Sequence, residues 1–243
     1  IAGLLVVKLL AVSFGPEGVG QAGNFRQLIT VLGVLAGAGI FNGVTTYVAQ
    51  FQQQPAQLRA VTGTASAMVL AFSTLVALVF LLAAGPISHA LFGHGQYANV
   101  VRIVAFLQLG IAWANLTLAL LKGFRDARGN ALALIAGSLV GVLGYVLCWW
   151  LGGYAGALVG LALVPALLVF PALLMLRRHH QVLPLSWLKP SWQPELARNL
   201  AKFTLMALIT SVTLPVAWVM MRNLLAQQQG WAQVGLWQGV TSI

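Results

Sequence analysis

Apolar stretches about 20 residues long recur along this chain, and they constrain its fold more than any other feature. Short gaps rich in turn-forming and basic residues separate them. An α-helix rises about 1.5 Å per residue, so each stretch is long enough to cross the roughly 30 Å hydrocarbon core of a bilayer. The predicted spans are a shortened one at 1–14, full ones near 26–48, 62–84, 100–121, 131–151, 154–176 and 202–222, and the start of an eighth near 232.

The composition supports a membrane protein. Of the 243 residues, 60% are hydrophobic and only 7% are charged, whereas a soluble domain has about 25% charged residues. The net charge of +10 does not indicate nucleic-acid binding, because the basic residues cluster in the short gaps. The sequence therefore predicts an all-α polytopic membrane protein with no nucleic-acid partner.

The basic residues also predict an orientation. Nine of the 13 lysines and arginines fall in three alternate gaps, at 49–61, 122–130 and 177–202. Cytoplasmic loops carry such an excess of lysine and arginine. We therefore expect these three gaps on the cytoplasmic side of the membrane, with the chain crossing it several times.

Polar residues inside the predicted spans are the candidates for function. Residues four, seven and eleven apart return to nearly the same face of a helix, so Arg26 shares a face with Thr30, and Asn115 shares one with Lys122. A hydrated cationic cavity between helices would suit an anionic ligand. The candidate substrate-binding residues are Lys8, Arg26, Thr30, Asn115, Lys122 and Arg222.

Other interpretations of these cations remain open. Arg26 and Arg222 lie near the ends of predicted spans, where long basic side chains can reach the headgroups. Lys122 can equally be a topology determinant. In a membrane scaffold without transport activity, the polar stripes would serve to hold helices together, as the four-residue glycine pairs Gly137/Gly141 and Gly156/Gly160 do by allowing close approach.

Residue types needed for catalysis or cofactor binding are missing from the spans. The acids Glu17, Asp126 and Glu195 all fall in gaps, and so do the four histidines. The single Cys148 has no ligand spacing around it, and the sequence has no nucleotide-binding loop. We therefore expect no metal, no cofactor and no enzyme activity in this portion.

Three segments resemble the Wzx-type polysaccharide flippases of the multidrug/oligosaccharidyl-lipid/polysaccharide exporter superfamily. They are GPEGVGQAGNFR at 15–26 leading into GVTTYVA at 43–49, LKGFRDARGN at 121–130, and KFTLMALITSVTLP at 202–215 running to WQGVTSI at 237–243. The similarity covers essentially the whole chain. Because the chain begins with Ile1 and ends within an apolar-polar run, we expect it to be a piece of a longer protein.

The resemblance implies a MATE-like fold of twelve helices in two six-helix lobes around a central cavity. Residues 1–176 would form the N-terminal lobe with a truncated first helix, 177–201 the cytoplasmic linker between the lobes, and 202–243 the start of the C-terminal lobe. Lys8 and Arg26 match positions where related flippases place cavity cations. Arg222 would face them from the second lobe.

The resemblance also implies a function. Family members move undecaprenyl-diphosphate-linked oligosaccharides from the cytoplasmic to the periplasmic leaflet of the bacterial inner membrane by alternating access, and the expected glycan here is that of enterobacterial common antigen. The implied partners are this glycolipid, membrane lipids and other polysaccharide-assembly membrane proteins. The alternative is a drug or cation antiporter of the same fold, which usually needs a membrane carboxylate that this portion lacks. A membrane glycosyltransferase would need catalytic acids or bases that are also lacking.

Overall fold

The structure is a computed structural model that describes residues 2–37, 39–179 and 184–241. Within these ranges the chain is helical and has no strand. The α-helices are α1 (Ala2–Leu35), α2 (Phe41–Gln50), α3 (Pro55–Leu82), α4 (Ala84–Phe92), α5 (Ala98–Gly123), α6 (Ala127–Leu167), α7 (Val169–Leu176), α8 (Pro194–Gln229) and α9 (Trp231–Thr241). Short 3₁₀ helices cover Gly95–Tyr97, Arg177–His179 and Leu185–Leu188.

Two of these helices fold back at a glycine. Gly15 in α1 has φ 65°, and Gly153 in α6 has φ 55°, a left-handed conformation that glycine adopts without a Cβ penalty. Each helix therefore has two limbs: residues 2–14 and 16–35 in α1, and residues 127–152 and 154–167 in α6. Both turns fall where the sequence predicts a gap between spans.

Several helices are longer than the predicted spans. The second limb of α1 begins at Pro16 rather than near residue 26, and the chain then breaks between α1 and α2. Helix α8 runs from Pro194 to Gln229 instead of 202–222. A proline is tolerated in the first turn, where its missing N–H has no helical partner. Arg26 and Arg222 consequently lie inside helices and not at helix ends.

The three basic gaps meet at one end of the helix bundle. Gln52 Nε2 donates to the carbonyl of Gly123 at 2.6 Å, which joins the first gap to the second. His179 Nε2 lies 2.9 Å from Asp126 Oδ2, which joins the second to the third. We call this the basic end. That it faces the cytoplasm stays a prediction.

Aromatic residues gather at the opposite end. The Tyr154 hydroxyl donates to the carbonyl of Gly18 at 2.8 Å. Its ring contacts Phe14, with centroids 4.9 Å apart, and Tyr97, with centroids 5.6 Å apart. These contacts tie the turn of α1 to the turn of α6.

Three helical segments among the described residues are long and apolar enough to cross a membrane: Pro55–Leu82, Gly95–Gly123 and Ala127–His179, the last of which contains the turn at Gly153. Large apolar side chains cover their outer surfaces, and Leu82 is 87% and Leu139 65% exposed. Lipid contact stabilises such a surface, whereas water does not. These features fit a multi-pass membrane protein.

Helices α8 and α9 pack against α1 and α2. Gly43 lies against the ring of Phe203, and Gly20 lies against the backbone of Trp231. The segment before α8 also contacts α3, where Ser191 N donates to the carbonyl of Gly63 at 3.1 Å. Because α8 begins at Pro194, residues 194–201 of the predicted linker are helical. The division into lobes stays a prediction.

Candidate binding cavity

A cavity of about 560 Å³ lies between α1, α2, α5 and α6. This volume is within the range of sites that hold one small-molecule-sized group. Four of the six candidate residues line it: Arg26, Thr30, Asn115 and Lys122. The structure thus brings together residues that are almost 100 positions apart in the sequence.

The cavity has one polar wall and one apolar wall. The polar wall comes from the second limb of α1, from α2 and from α5, and its polar residues are Arg26, Thr30, Asn42, Thr45, Asn115 and Lys122. The apolar wall comes from the first limb of α1 and from α6, and it includes Val6, Val7, Leu10, Val142, Leu161 and Val164. Such a cavity suits a ligand with both polar and apolar parts.

Arg26 is the most deeply placed cation on the polar wall. It lies ten residues after Pro16, which corresponds to about 15 Å along the helix. Its side chain is exposed to the cavity, and Nη2 would lie 3.8 Å from a Cβ built on Gly3. Thr30 lies one turn further, and its hydroxyl donates to the Arg26 carbonyl at 3.0 Å. The hydroxyl oxygen remains able to accept a bond from a ligand.

Asn115 lies between the two cations of the wall. Its Nδ2 is 3.4 Å from the carbonyl oxygen of Gly33, which is a long hydrogen bond. A Cβ on Gly33 would lie 3.5 Å from this same Nδ2. A small residue at position 33 therefore lets α5 approach α1 closely.

Lys122 lies in the last turn of α5, near the basic end, and is exposed. A cation is favoured there by the helix dipole. Among the described residues, the carboxylate that forms an ion pair is Asp126, and its partner is His179. Arg26 and Lys122 therefore keep their positive charge available to an anionic ligand.

Sequence reasoning missed two polar residues of the wall. Asn42 is exposed in the first turn of α2, and the Thr45 hydroxyl contacts the carbonyls of Phe41 at 3.0 Å and Ala119 at 3.2 Å. Helical periodicity counted from Arg26 could not find them, because the break between α1 and α2 shifts the register. In the sequence, the only indication of these two residues was that they are polar and lie three positions apart within an apolar segment.

The structure places Lys8 outside the cavity. Gly3, Val6, Val7 and Leu10 form the face of the first limb that meets it, and Lys8 projects from another side and is exposed. Lys8 is therefore not among the residues that line this cavity, and its role in substrate binding stays a prediction. Its position follows from the helical period of 3.6 residues, which directs residues 7 and 8 about 100° apart.

Arg222 also lies outside the cavity. It is only 4% exposed, and its guanidinium carbon lies 5.7 Å from the centroid of the Trp237 ring. The adjacent Asn223 accepts a bond from Asn24 Nδ2 at 2.8 Å and donates to the carbonyl of Ala90 at 3.0 Å. The residue expected to face the cavity from the second lobe thus belongs to a contact between helices.

Asp126 organises the loop between α5 and α6 at the basic end. Its Oδ1 accepts from Gly129 N at 2.7 Å and so caps the start of α6. The hydrogen bond with His179, followed by the bond from Gly129, lowers the pKa of the Asp126 carboxyl below its ordinary value. His179 stacks on Phe124, with centroids 5.0 Å apart. These contacts fix α6 to the end of α7.

Metal coordination finds no support in the described part of the chain. No three histidine, cysteine, aspartate or glutamate side chains there come together in a group that could hold a metal ion. The polar wall instead offers two cations, amides and hydroxyls, which bind anions and sugars by charge and hydrogen bonding.

Comparison with known proteins gives a consistent result. The chain is 70% identical over 242 residues to the lipid III flippases of Escherichia coli (strain K12) and Shigella flexneri. The match covers 100% of this chain and 58% of each relative, so the chain spans little more than half of their length. No family model matches the sequence. This identity confirms the resemblance of the three segments noted above.

A solved structure has the same fold. The crystal structure of a MATE in complex with MaD3S superposes with a TM-score of 0.70 and 17% sequence identity. The superposition covers 93% of this chain and 53% of the MATE chain. It confirms the predicted all-α exporter fold, of which these residues form a part.

Proposed function

Because the chain is 70% identical over its whole length to lipid III flippases, we propose that it belongs to the multidrug/oligosaccharidyl-lipid/polysaccharide exporter superfamily and that the whole protein flips an undecaprenyl-diphosphate-linked oligosaccharide. The cargo would be the lipid III precursor of enterobacterial common antigen. It would move from the cytoplasmic to the periplasmic leaflet of the inner membrane. The relatives are named as flippases of lipid III, and their 70% identity over the full chain supports this proposal.

The observation that carries the proposal is the pair of uncompensated cations on the polar wall of a membrane cavity. Arg26 and Lys122 line it, while the described acids lie elsewhere. A charged group costs several kcal/mol or more in the hydrocarbon core unless it is sheltered. Cations without partner carboxylates lower that cost for an anionic diphosphate and raise it for a cationic drug.

The two walls account for the other parts of the cargo. Asn42, Thr45 and Asn115 can exchange hydrogen bonds with sugar hydroxyls, and they replace the water that the sugars lose. The apolar wall of α6 and the first limb of α1 is compatible with the first prenyl units. No covalent bond is made or broken in this transport, so the protein only has to bind, shelter and release the cargo.

Movement would come from two lobes that open alternately to each side. We assign residues 1–176 to the first lobe, 177–201 to the linker and 202–243 to the start of the second. The hydrogen bond of Asn24 with Asn223 connects the proposed lobes and is one that such a motion would have to break. Membrane lipids, and other membrane proteins of polysaccharide assembly, are the proposed partners.

A drug or cation antiporter of the same fold is the second candidate. It is disfavoured because no acidic side chain of the described residues lines the cavity. A cation passenger needs a carboxylate along its path.

Flipping by the reconstituted full-length protein tests the proposal. Proteoliposomes would receive the lipid-linked oligosaccharide in one leaflet, and a glycan-cleaving enzyme added outside would report its arrival in the other. We expect transport with the wild type and at least a tenfold slower rate with Arg26→Gln, because a charge-assisted hydrogen bond contributes about 1.5–3 kcal/mol. Arg102→Gln is the control, since Arg102 lies at the start of α5 and bonds Asn99. Absence of transport by the wild type would refute the proposal.

A further inference from the structure

The two cations of the polar wall lie at different depths. Asn115 and Gly33 are hydrogen-bonded and therefore at the same level. Arg26 is seven residues before Gly33, and Lys122 is seven residues after Asn115. Since α1 and α5 run in the same direction here, the two cations lie on opposite sides of this level. At 1.5 Å per residue their backbone positions are about 20 Å apart along the cavity.

Neighbouring contacts support this register. The Thr45 hydroxyl reaches the carbonyl of Ala119 at 3.2 Å, and a Cβ on Gly123 would lie 2.6 Å from Val48 Cβ. Residues further along α2 thus meet residues further along α5. Lys122 therefore lies at the level of α2, near the basic end, whereas Arg26 lies beyond the break, in the second limb of α1.

A diphosphate group is only a few ångströms long. It would contact both cations only with both side chains stretched toward each other, and fixing two long side chains in this way costs rotamer entropy. We propose that the cavity holds two separate diphosphate stations, a loading station at Lys122 and a deep station at Arg26. This inference rests on the proposed function and adds an order of events to it.

The chemistry of each station suits its depth. Lysine is a compact charge on a flexible stem, which favours capture of an anion near the mouth, where Asn42 and Thr45 stand close by. Arginine has a planar guanidinium that binds phosphate oxygens bidentately. This favours holding the diphosphate deeper in the cavity, where it has lost its bound water. Thr30 lies beside Arg26. Asn115 offers a neutral polar group midway between Lys122 and Arg26. The charged diphosphate would therefore move between the two stations along a polar wall.

Binding stoichiometry in the full-length protein distinguishes two stations from one. Methyl diphosphate carries the charged group without sugar or lipid chain, and isothermal titration counts its sites. Cations in the rest of the full-length protein can also bind methyl diphosphate. The quantity to compare is therefore the number of sites that each variant loses relative to the wild type. We expect Lys122→Gln and Arg26→Gln each to remove one equivalent and the double variant to remove two. Arg102→Gln is expected to remove none.

Other outcomes overturn the inference in distinct ways. If either single variant removes every site that the double variant removes, one shared site exists, and the two-station arrangement is wrong while the proposed flippase stands. If Lys122→Gln removes no site, the loading station does not exist. If the wild type binds no methyl diphosphate, anion recognition by the cavity fails, and the proposed function loses its main support. Both side chains are exposed, and matched melting curves would verify that the variants fold; Arg26→Lys should retain its site at lower affinity.

Discussion

Lys8 and Arg26 are both basic residues within apolar segments, but only Arg26 meets the cavity. Four- and seven-residue spacing correctly grouped Arg26 with Thr30, and Asn115 with Lys122, because each pair lies in one uninterrupted helix. Spacing could not show which face of the first limb of α1 turns inward. That depends on the fold-back at Gly15, which is a tertiary feature.

Replacement of Lys8 tests this distinction. We expect Lys8→Gln to change the flipping rate of the full-length protein by less than twofold, because its side chain projects away from the cavity lining. Arg26→Gln in the same assay should slow flipping at least tenfold. If both variants lost the same fraction of the flipping rate at equal protein abundance, Lys8 would contact the cargo as Arg26 does, and the distinction would be wrong.

The pair of Asp126 with His179 predicts a pH dependence of stability. The folded-state pKa of Asp126 is below its ordinary value of 3.8, so its ionised form stabilises the fold above that pH. This contribution is lost as the pH falls through the lowered pKa. Asparagine can still cap α6 with its one oxygen, so Asp126→Asn removes the charge and the oxygen that bonds His179.

Melting temperatures of the full-length protein in detergent would measure this effect. We expect Asp126→Asn to melt below the wild type at pH 7, with the difference shrinking as the pH falls from about 4 toward 3. A difference that is constant over this range would show that the charge of Asp126 does not contribute.

At the scale of helices, glycine spacing was the most informative pattern. Gly137 and Gly141 were predicted to allow close approach, and a Cβ on Gly141 would indeed lie 3.0 Å from Val164 Cα. The helix starts were harder to predict. Residues 16–25 contain glycine, glutamate and glutamine and look like a loop, yet they are helical, and α9 packs over them at Gly20.

A larger side chain at Gly141 should separate the two limbs of α6. Leu there would meet Val164 backbone atoms that cannot move aside, so we expect Gly141→Leu to destabilise the protein by about 1–3 kcal/mol. Gly152→Ala is the matched control on the same helix, because a Cβ there meets nothing within 4 Å. Thermal unfolding that is the same for both variants would contradict the close packing.

At the scale of the whole molecule, charge counting predicted that three gaps share one side, and their direct contacts agree. The contacts of α8 and α9 with α1 could not be predicted, because nothing in the sequence marks Asn24 and Asn223 as neighbours. Pairing between helices far apart in sequence depends on shape and on exact register. The cavity depends on it as well, since its lining comes from four helices.

Cysteine labelling would fix the orientation. In a full-length variant with Cys148→Ala, we expect Arg128→Cys to be protected from a membrane-impermeant maleimide added to intact spheroplasts, and Gly152→Cys to be labelled. Both positions are exposed, so protection reflects the side of the membrane. Labelling in the opposite pattern would reverse the predicted orientation.

Photo-crosslinking tests most directly whether the cavity is the path of the cargo. A photoreactive residue would replace Thr30, on the polar wall, or Leu139, which is 65% exposed on the apolar outer surface of α6. The full-length protein would then be illuminated with radiolabelled lipid-linked oligosaccharide. We predict that the labelled glycolipid attaches at position 30 and not at position 139. Attachment at position 139 alone, or equal attachment at both, would contradict a passage through the cavity.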